Sequence, residues 1–158
     1  MKTKITLFLI LANLFVFTSC NKNSDVDGPL IGKWTLTEDT GTAYGSMSAY
    51  FDFRSDGKLY ITMGSELDEL MQNPDMKMSD VVSIYDYEYS SDKLVLTNAL
   101  AQYKGEIISK IESYYCEFQV TKLTKHTLDM TCTKLEGSEY YTGIVQQIVI
   151  GHKYHLTK

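Results

Sequence analysis

Residues 49–63, AYFDFRSDGKLYITM, alternate apolar and polar side chains on both sides of an Asp-Gly pair. Successive side chains of an extended chain project to opposite faces, so this alternation makes one continuous apolar face only in a β-strand. Ala49, Phe51 and Phe53 share a face before the pair, and Leu59, Ile61 and Met63 share one after it. Asp56-Gly57 between two alternating runs is a hairpin signal, because both central residues of a tight two-residue turn need positive φ. The segment predicts an antiparallel hairpin with its aromatic side turned inward.

The same pattern recurs along the chain. Tyr85, Tyr87 and Tyr89 share a face, residues 90–93 form a turn, and Leu94 and Leu96 continue the inner face. Tyr114, Cys116, Phe118 and Val120 alternate inward, a turn falls near Lys125-His126, and Leu128, Met130 and Cys132 return. Leu30, Gly32, Trp34 and Leu36 share one face of the first strand, and Ile148, Ile150, Tyr154 and Leu156 one face of the last. Two linkers carry helical spacing instead. One is residues 65–71, with Ser65 as N-cap and acidic residues in the first turn. The other is residues 98–113, with Leu100, Tyr103, Ile107 and Ile111 on one side and Gly105 interrupting it. About eight antiparallel strands in sequence order, with one or two short helices in linkers, predict an all-β up-and-down barrel. Such a barrel is either filled by its own side chains or leaves room for one small ligand.

The first 20 residues, MKTKITLFLILANLFVFTSC, place Lys2 and Lys4 before an apolar stretch and small polar residues after it. That is the order of a secretory signal. Its apolar run of about 13 residues is shorter than the roughly 20 that a spanning helix needs. The stretch FTSC resembles a bacterial lipobox, whose cysteine becomes the mature N-terminus. That resemblance implies that Cys20 carries thioether-linked diacylglycerol and an acylated amine, with palmitate among the chains. Two or more chains anchor a protein stably where one does not. The expected organisation is a signal peptide over 1–19, a flexible tether over 20–29 and a barrel domain over 30–158. The lipid bilayer is then a partner through Cys20, and a Gram-negative outer membrane, on its periplasmic or surface face, the expected location.

Removing 19 of the 158 residues leaves 139, a length for one domain. Without Lys2 and Lys4 the 15 basic side chains become 13, against 20 acidic ones, and Arg54 is the lone arginine. Binding to a phosphate backbone needs several basic contacts on one face, so a nucleic-acid partner is not expected. Twelve tyrosines and six phenylalanines suit strands, and two prolines leave the strands unbroken.

Catalytic chemistry finds little support in the spacing. His126 falls in a predicted turn, and His152 and His155, three apart on a strand, point to opposite faces. No metal-binding spacing, phosphate loop or cofactor motif is present. The expectation is a non-enzyme without metal or cofactor. Glu66, Asp68 and Glu69 read as a solvated helix face. Cys116 and Cys132 remain after lipidation of Cys20 and point inward on paired strands as diagonal neighbours. They are either a disulfide, as exported proteins permit, or two buried thiols.

Three motifs in order extend the reading: Leu30-Ile31-Gly32-Lys33-Trp34-Thr35-Leu36, the hairpin from Phe51 to Gly57, and Lys122 to Leu128. With the lipobox and tether before them, they resemble the lipocalin-like lipoproteins of Gram-negative bacteria. The resemblance implies a calycin-type barrel in which Trp34 packs across the closed end and Gly32 lets the chain pass close beneath it. It also implies a basic residue near the last strand stacked on that tryptophan, for which the chain offers Lys153 or Lys158 and no arginine. Trp34 as one large core residue among others is the alternative.

Two functions follow. In the first, the barrel binds a small apolar or amphipathic ligand, with Phe51, Phe53, Tyr85, Tyr87, Tyr89, Phe118 and Tyr154 as candidate lining. These rings equally suit a filled core. In the second, a solid barrel acts as an interaction module that grips a protein or glycan partner through its loops or outer face. Tyr44, Tyr50 and Tyr60 are then the exposed aromatics to look for.

Overall fold

A computed structural model describes residues 28–39, 48–71, 76–137 and 148–158. These form strands β1 (Gly32–Asp39), β2 (Ala49–Phe53), β3 (Lys58–Met63), β4 (Val81–Ser90), β5 (Lys93–Tyr103), β6 (Glu106–Leu123), β7 (Thr127–Glu136) and β8 (Lys153–Thr157). One short helix, α1 (Glu66–Met71), and a 3-10 turn at Met78–Asp80 lie between β3 and β4. Each strand pairs antiparallel with the next, and β8 returns to β1, so the eight described strands close into an up-and-down barrel. Closure removes the two free edges that an open sheet would present to other chains. Among the described residues no helix is long and apolar enough to cross a membrane.

The alternation read from the sequence becomes the inside and outside of the wall. Phe51 and Phe53 on β2 and Leu59 and Ile61 on β3 are buried, as are Leu94, Leu96, Leu128 and Met130 further round. The β2–β3 connection departs from the expected two-residue turn. Gly57 alone takes positive φ, +77°, and its N–H donates to the Arg54 carbonyl at 3.1 Å. The loop therefore spans Arg54 to Gly57, and the Asp56 carboxylate accepts from the Lys58 N–H at 3.1 Å.

Two expectations are corrected. Residues 98–113 are not helical: they belong to β5 and β6, joined by Lys104-Gly105 with φ of +49° and +86°. Both central residues sit at positive φ, the geometry that matches the twist of a two-residue hairpin. Gly105, which interrupts the helical spacing, is half of that turn. The helical spacing itself is divided between environments, since Ile111 is buried and Ile107 is 62% exposed. The last strand is also shorter than its pattern. β8 starts at Lys153, Ile150-Gly151 form a turn, and Ile150 is exposed while Ile148 is buried.

Helix α1 begins one residue after Ser65, where the spacing placed it. Glu66 and Glu69 are exposed, whereas the Asp68 carboxylate accepts from the Ser79 N–H at 3.0 Å and the Ser79 hydroxyl at 2.5 Å. That carboxylate ties the helix to the 3-10 turn leading into β4.

Candidate functional site

The barrel has two unlike ends. One end carries the β2–β3, β4–β5 and β6–β7 turns together with the start of β1, and there Leu30 and Trp34 are buried, with relative exposures of 0% and 1%. The Trp34 indole N–H donates to the Leu30 carbonyl at 2.7 Å. A buried indole N–H without an acceptor would be costly, so this bond fixes how the entering chain lies under the ring. From the C-terminus, the Lys158 Nζ sits 4.4 Å from the centroid of the Trp34 ring and donates to the carbonyls of Pro29 and Ile31 at 2.9 and 2.7 Å. Burial holds its ammonium below the ordinary lysine range. Of the two lysines available, Lys158 takes the place beside the tryptophan. Its stack on an aromatic face adds about 0.5–1 kcal/mol at a partly exposed site.

Gly32 lies directly under that lysine. Its φ is +122°, and a Cβ there would stand 3.4 Å from Cε and Nζ of Lys158. Gly32→Ala is expected to cost about 1–3 kcal/mol, mostly through the backbone conformation. A urea midpoint within error of the parent would remove Gly32 from the closed end.

The barrel interior brings the candidate lining residues together. Phe51, Phe53, Tyr85, Tyr87, Phe118 and Tyr154 are all buried, and Tyr89 is half-buried near its turn. Their rings pack on one another. Phe53 meets Tyr87 edge-on at 5.2 Å, Phe118 meets Tyr154 edge-on at 5.6 Å, and Tyr85 meets Tyr114 at 5.2 Å. Tyr114 was legible as an inward residue by parity and joins this group.

Several phenol groups are held by backbone. The Tyr87 hydroxyl donates to the Arg54 carbonyl at 2.9 Å, and that of Tyr89 to the Ser91 carbonyl at 2.7 Å. The Tyr154 hydroxyl accepts from the Val149 N–H at 3.0 Å. These bonds meet the need of a phenol for a partner when its ring is buried.

Cys116 and Cys132 also face inward, diagonal to one another, since Cys132 is in register with Phe118. Their sulfurs lie 3.7 Å apart as free thiols. The Cys132 sulfur hydrogen-bonded to it and burial both push the Cys116 thiol up, so it stays protonated. Among the described residues no three His, Cys, Asp or Glu side chains are placed to hold a metal ion. His126 is exposed in the β6–β7 turn. His155 lies between inward-facing Tyr154 and Leu156 and meets the Asp129 carboxylate on the outer wall.

The outer wall carries further fixed charge. Lys58 and Asp86 pair across β3 and β4, and Asn98 Nδ2 donates to the other Asp86 oxygen at 2.6 Å. The hydrogen bonds from Lys58 and Asn98 hold the Asp86 carboxyl below the usual range, and the one to Asp86 raises Lys58. A carboxyl depressed in the folded state contributes stability above its unfolded pKa and loses it as pH falls through the folded value. Both side chains are more than a third exposed or close to it, so solvent keeps the contribution small. The urea midpoints of the parent and Asp86→Asn should differ at pH 7 and converge below about pH 4. A gap that persists into acid would mean that the pair does not act through charge.

Tyr50 is 44% exposed on the outer face, and the Tyr60 ring there is capped by the Arg54 guanidinium at 3.6 Å. Tyr44, Cys20, the expected signal and most of the expected tether lie outside the described residues. Comparison with protein families and with curated proteins finds no match for this chain.

Proposed function

We propose that the protein is an exported lipoprotein, held on the outer membrane through acylated Cys20, whose barrel binds a small amphipathic ligand without catalysis. The observation that supports this reading most is the closed end. Trp34 and Lys158 come from opposite ends of the chain and seal one end of an eight-stranded barrel. That is the arrangement implied by the resemblance to lipocalin-like lipoproteins. The strand ends that lead into the longer connections β1–β2, β3–β4 and β7–β8 lie at the other end of the barrel, and loops are where ligand contacts vary without disturbing the strands.

Native mass spectrometry of residues 21–158, exported behind a cleavable signal of a non-lipidated protein and isolated from the periplasm of the original host, tests the binding. A discrete extra mass lost on denaturation supports it, and a bare protein mass would sink it. The anchor has its own test: labelled palmitate should enter the full chain and fail to enter Cys20→Ser. Export also brings Cys116 and Cys132 into an oxidising compartment. Should they be joined there, the denatured mass falls short by two hydrogens and returns on reduction.

A second reading has the mutual packing of Phe53, Tyr87, Phe118 and Tyr154 in its favour. A barrel filled by its own rings suits an interaction module that presents its outer face to a protein or glycan.

A further inference from the structure

Irregularities on three neighbouring strands coincide on the outer wall. β4 and β5 change register between Ile84 and Asp86. β5 and β6 change register between Thr97 and Ala99, where the β6 partner jumps from Tyr115 to Ile111. An extra residue bends its strand and sharpens the twist, so adjacent bulges put a crease in the wall. Asn98 stands in the crease with φ +52°, held by its bond to Asp86. The crease opens a groove of about 430 Å³. That volume is within the range of small-ligand sites.

The lining of the groove is part apolar and part charged: Ile84 and Leu100, register partners across β4 and β5, lie there with Tyr85 and Ile111, and Lys58, Asp86, Asn98, Lys110 and Glu112 complete it. Ile84 faces outward by parity yet is only 9% exposed, and Leu100 beside it is half-buried.

The two ion pairs on the rim differ in kind. Asp86 is already engaged by Lys58 and Asn98. Lys110 is bonded to Glu112, two residues along the same strand, with side chains 60% and 77% exposed. An exposed pair of this sort contributes little, so an incoming anion displaces Glu112 at small cost. Lys110 is also the register partner of Leu100, and a lysine stem lies readily along apolar surface with its ammonium in water.

We propose that this crease, on the outer wall rather than in the barrel interior, binds a small amphipathic carboxylate. Its aliphatic body covers Ile84 and Leu100, and its carboxylate meets the Lys110 ammonium. The assignment rests on the reading of the protein as a ligand-binding barrel and gives that ligand a place and a charge.

The test is a titration of the full chain in nanodiscs with octanoate, followed by methyl NMR and referenced to empty nanodiscs. A saturable shift of the Ile84 and Leu100 methyls is expected. Lys110→Glu should weaken binding about fivefold at low salt. Leu100→Glu should abolish it, and Lys33→Glu, on the outer face of β1, should leave it unchanged. Because Lys110 is exposed, its variant keeps the test decisive even if Leu100→Glu does not fold. Saturable shifts confined to interior methyls such as Met130, indifferent to Lys110→Glu, would overturn the outer site and leave the ligand-binding reading in place. No saturable shift at all would also overturn it. The mass lost on denaturation of the host-derived protein then decides separately whether any ligand is carried.

Discussion

Trp34→Ala is expected to lower the unfolding free energy by about 3–5 kcal/mol, the range for truncating a large buried aromatic. The ring is 1% exposed, so most of its apolar surface leaves a cavity behind when it is removed. The Leu30 carbonyl loses its indole donor, and Lys158 loses the face it stacks on. Urea unfolding followed by circular dichroism measures the loss, because the variant has no tryptophan left to report. Trp34→Phe should recover part of the packing and none of the hydrogen bond. Lys158→Met, which keeps much of the stem, should cost about 1 kcal/mol or less. A loss below about 1.5 kcal/mol for Trp34→Ala would mean that the ring is an incidental core residue and that the end is sealed by other contacts.

Phe118→Ala should cost a similar amount, about 3–5 kcal/mol, for a different reason. Phe118 stands mid-barrel on β6, 1% exposed, between Leu94 on β5 and Cys132 on β7, with its ring edge-on to Tyr154. Its loss opens space between rings that touch, and the backbone of a closed barrel has little freedom to collapse into it. The variant should also take up a small apolar probe such as xenon, as dry cavities lined by hydrocarbon do. A cost near 1 kcal/mol, with xenon binding equally to the parent, would show that the interior already holds a cavity. The ligand would then belong there and not on the outer wall.

Parity along the strands was legible without the fold. Phe51, Phe53, Leu59, Ile61, Tyr85, Tyr87, Cys116 and Phe118 were assigned inward from alternation alone, and all are buried. Side-chain direction in an extended chain is a two-residue property, so each hairpin states its own inner face wherever its partner lies. The Lys125-His126 turn and the diagonal placing of Cys116 and Cys132 were legible for the same reason. The segment 98–113 was misread because its apolar residues recur at three- and four-residue intervals and the competing signal is a single glycine. Lys104-Gly105 decides the matter by taking the two positive φ values that a hairpin requires. Pairing to β4 on one side then makes the extended form the better use of its backbone groups.

The candidate site divides along the same line. Trp34 and Gly32 could be singled out from the sequence, and so could the tyrosine face of β4. The choice of Lys158 over Lys153 could not, because it depends on where the C-terminus lies once β8 has closed on β1. The crease was equally hidden. Asparagine tolerates positive φ, but the helical spacing of residues 98–113 hid both the bend at Asn98 and the strand position of Leu100, and nothing local sets Ile84 beside Leu100 until the strands pair.

Outside residues 98–113 and the start of β8, the sequence by itself determined the strand segments and their inner faces, since these depend on neighbours two to four residues apart. Only the tertiary structure decided the closure of β8 on β1, the lysine over the tryptophan and the groove on the outer wall. Each of those requires residues distant in the chain to meet, and the register that lets them meet is set by the whole barrel at once.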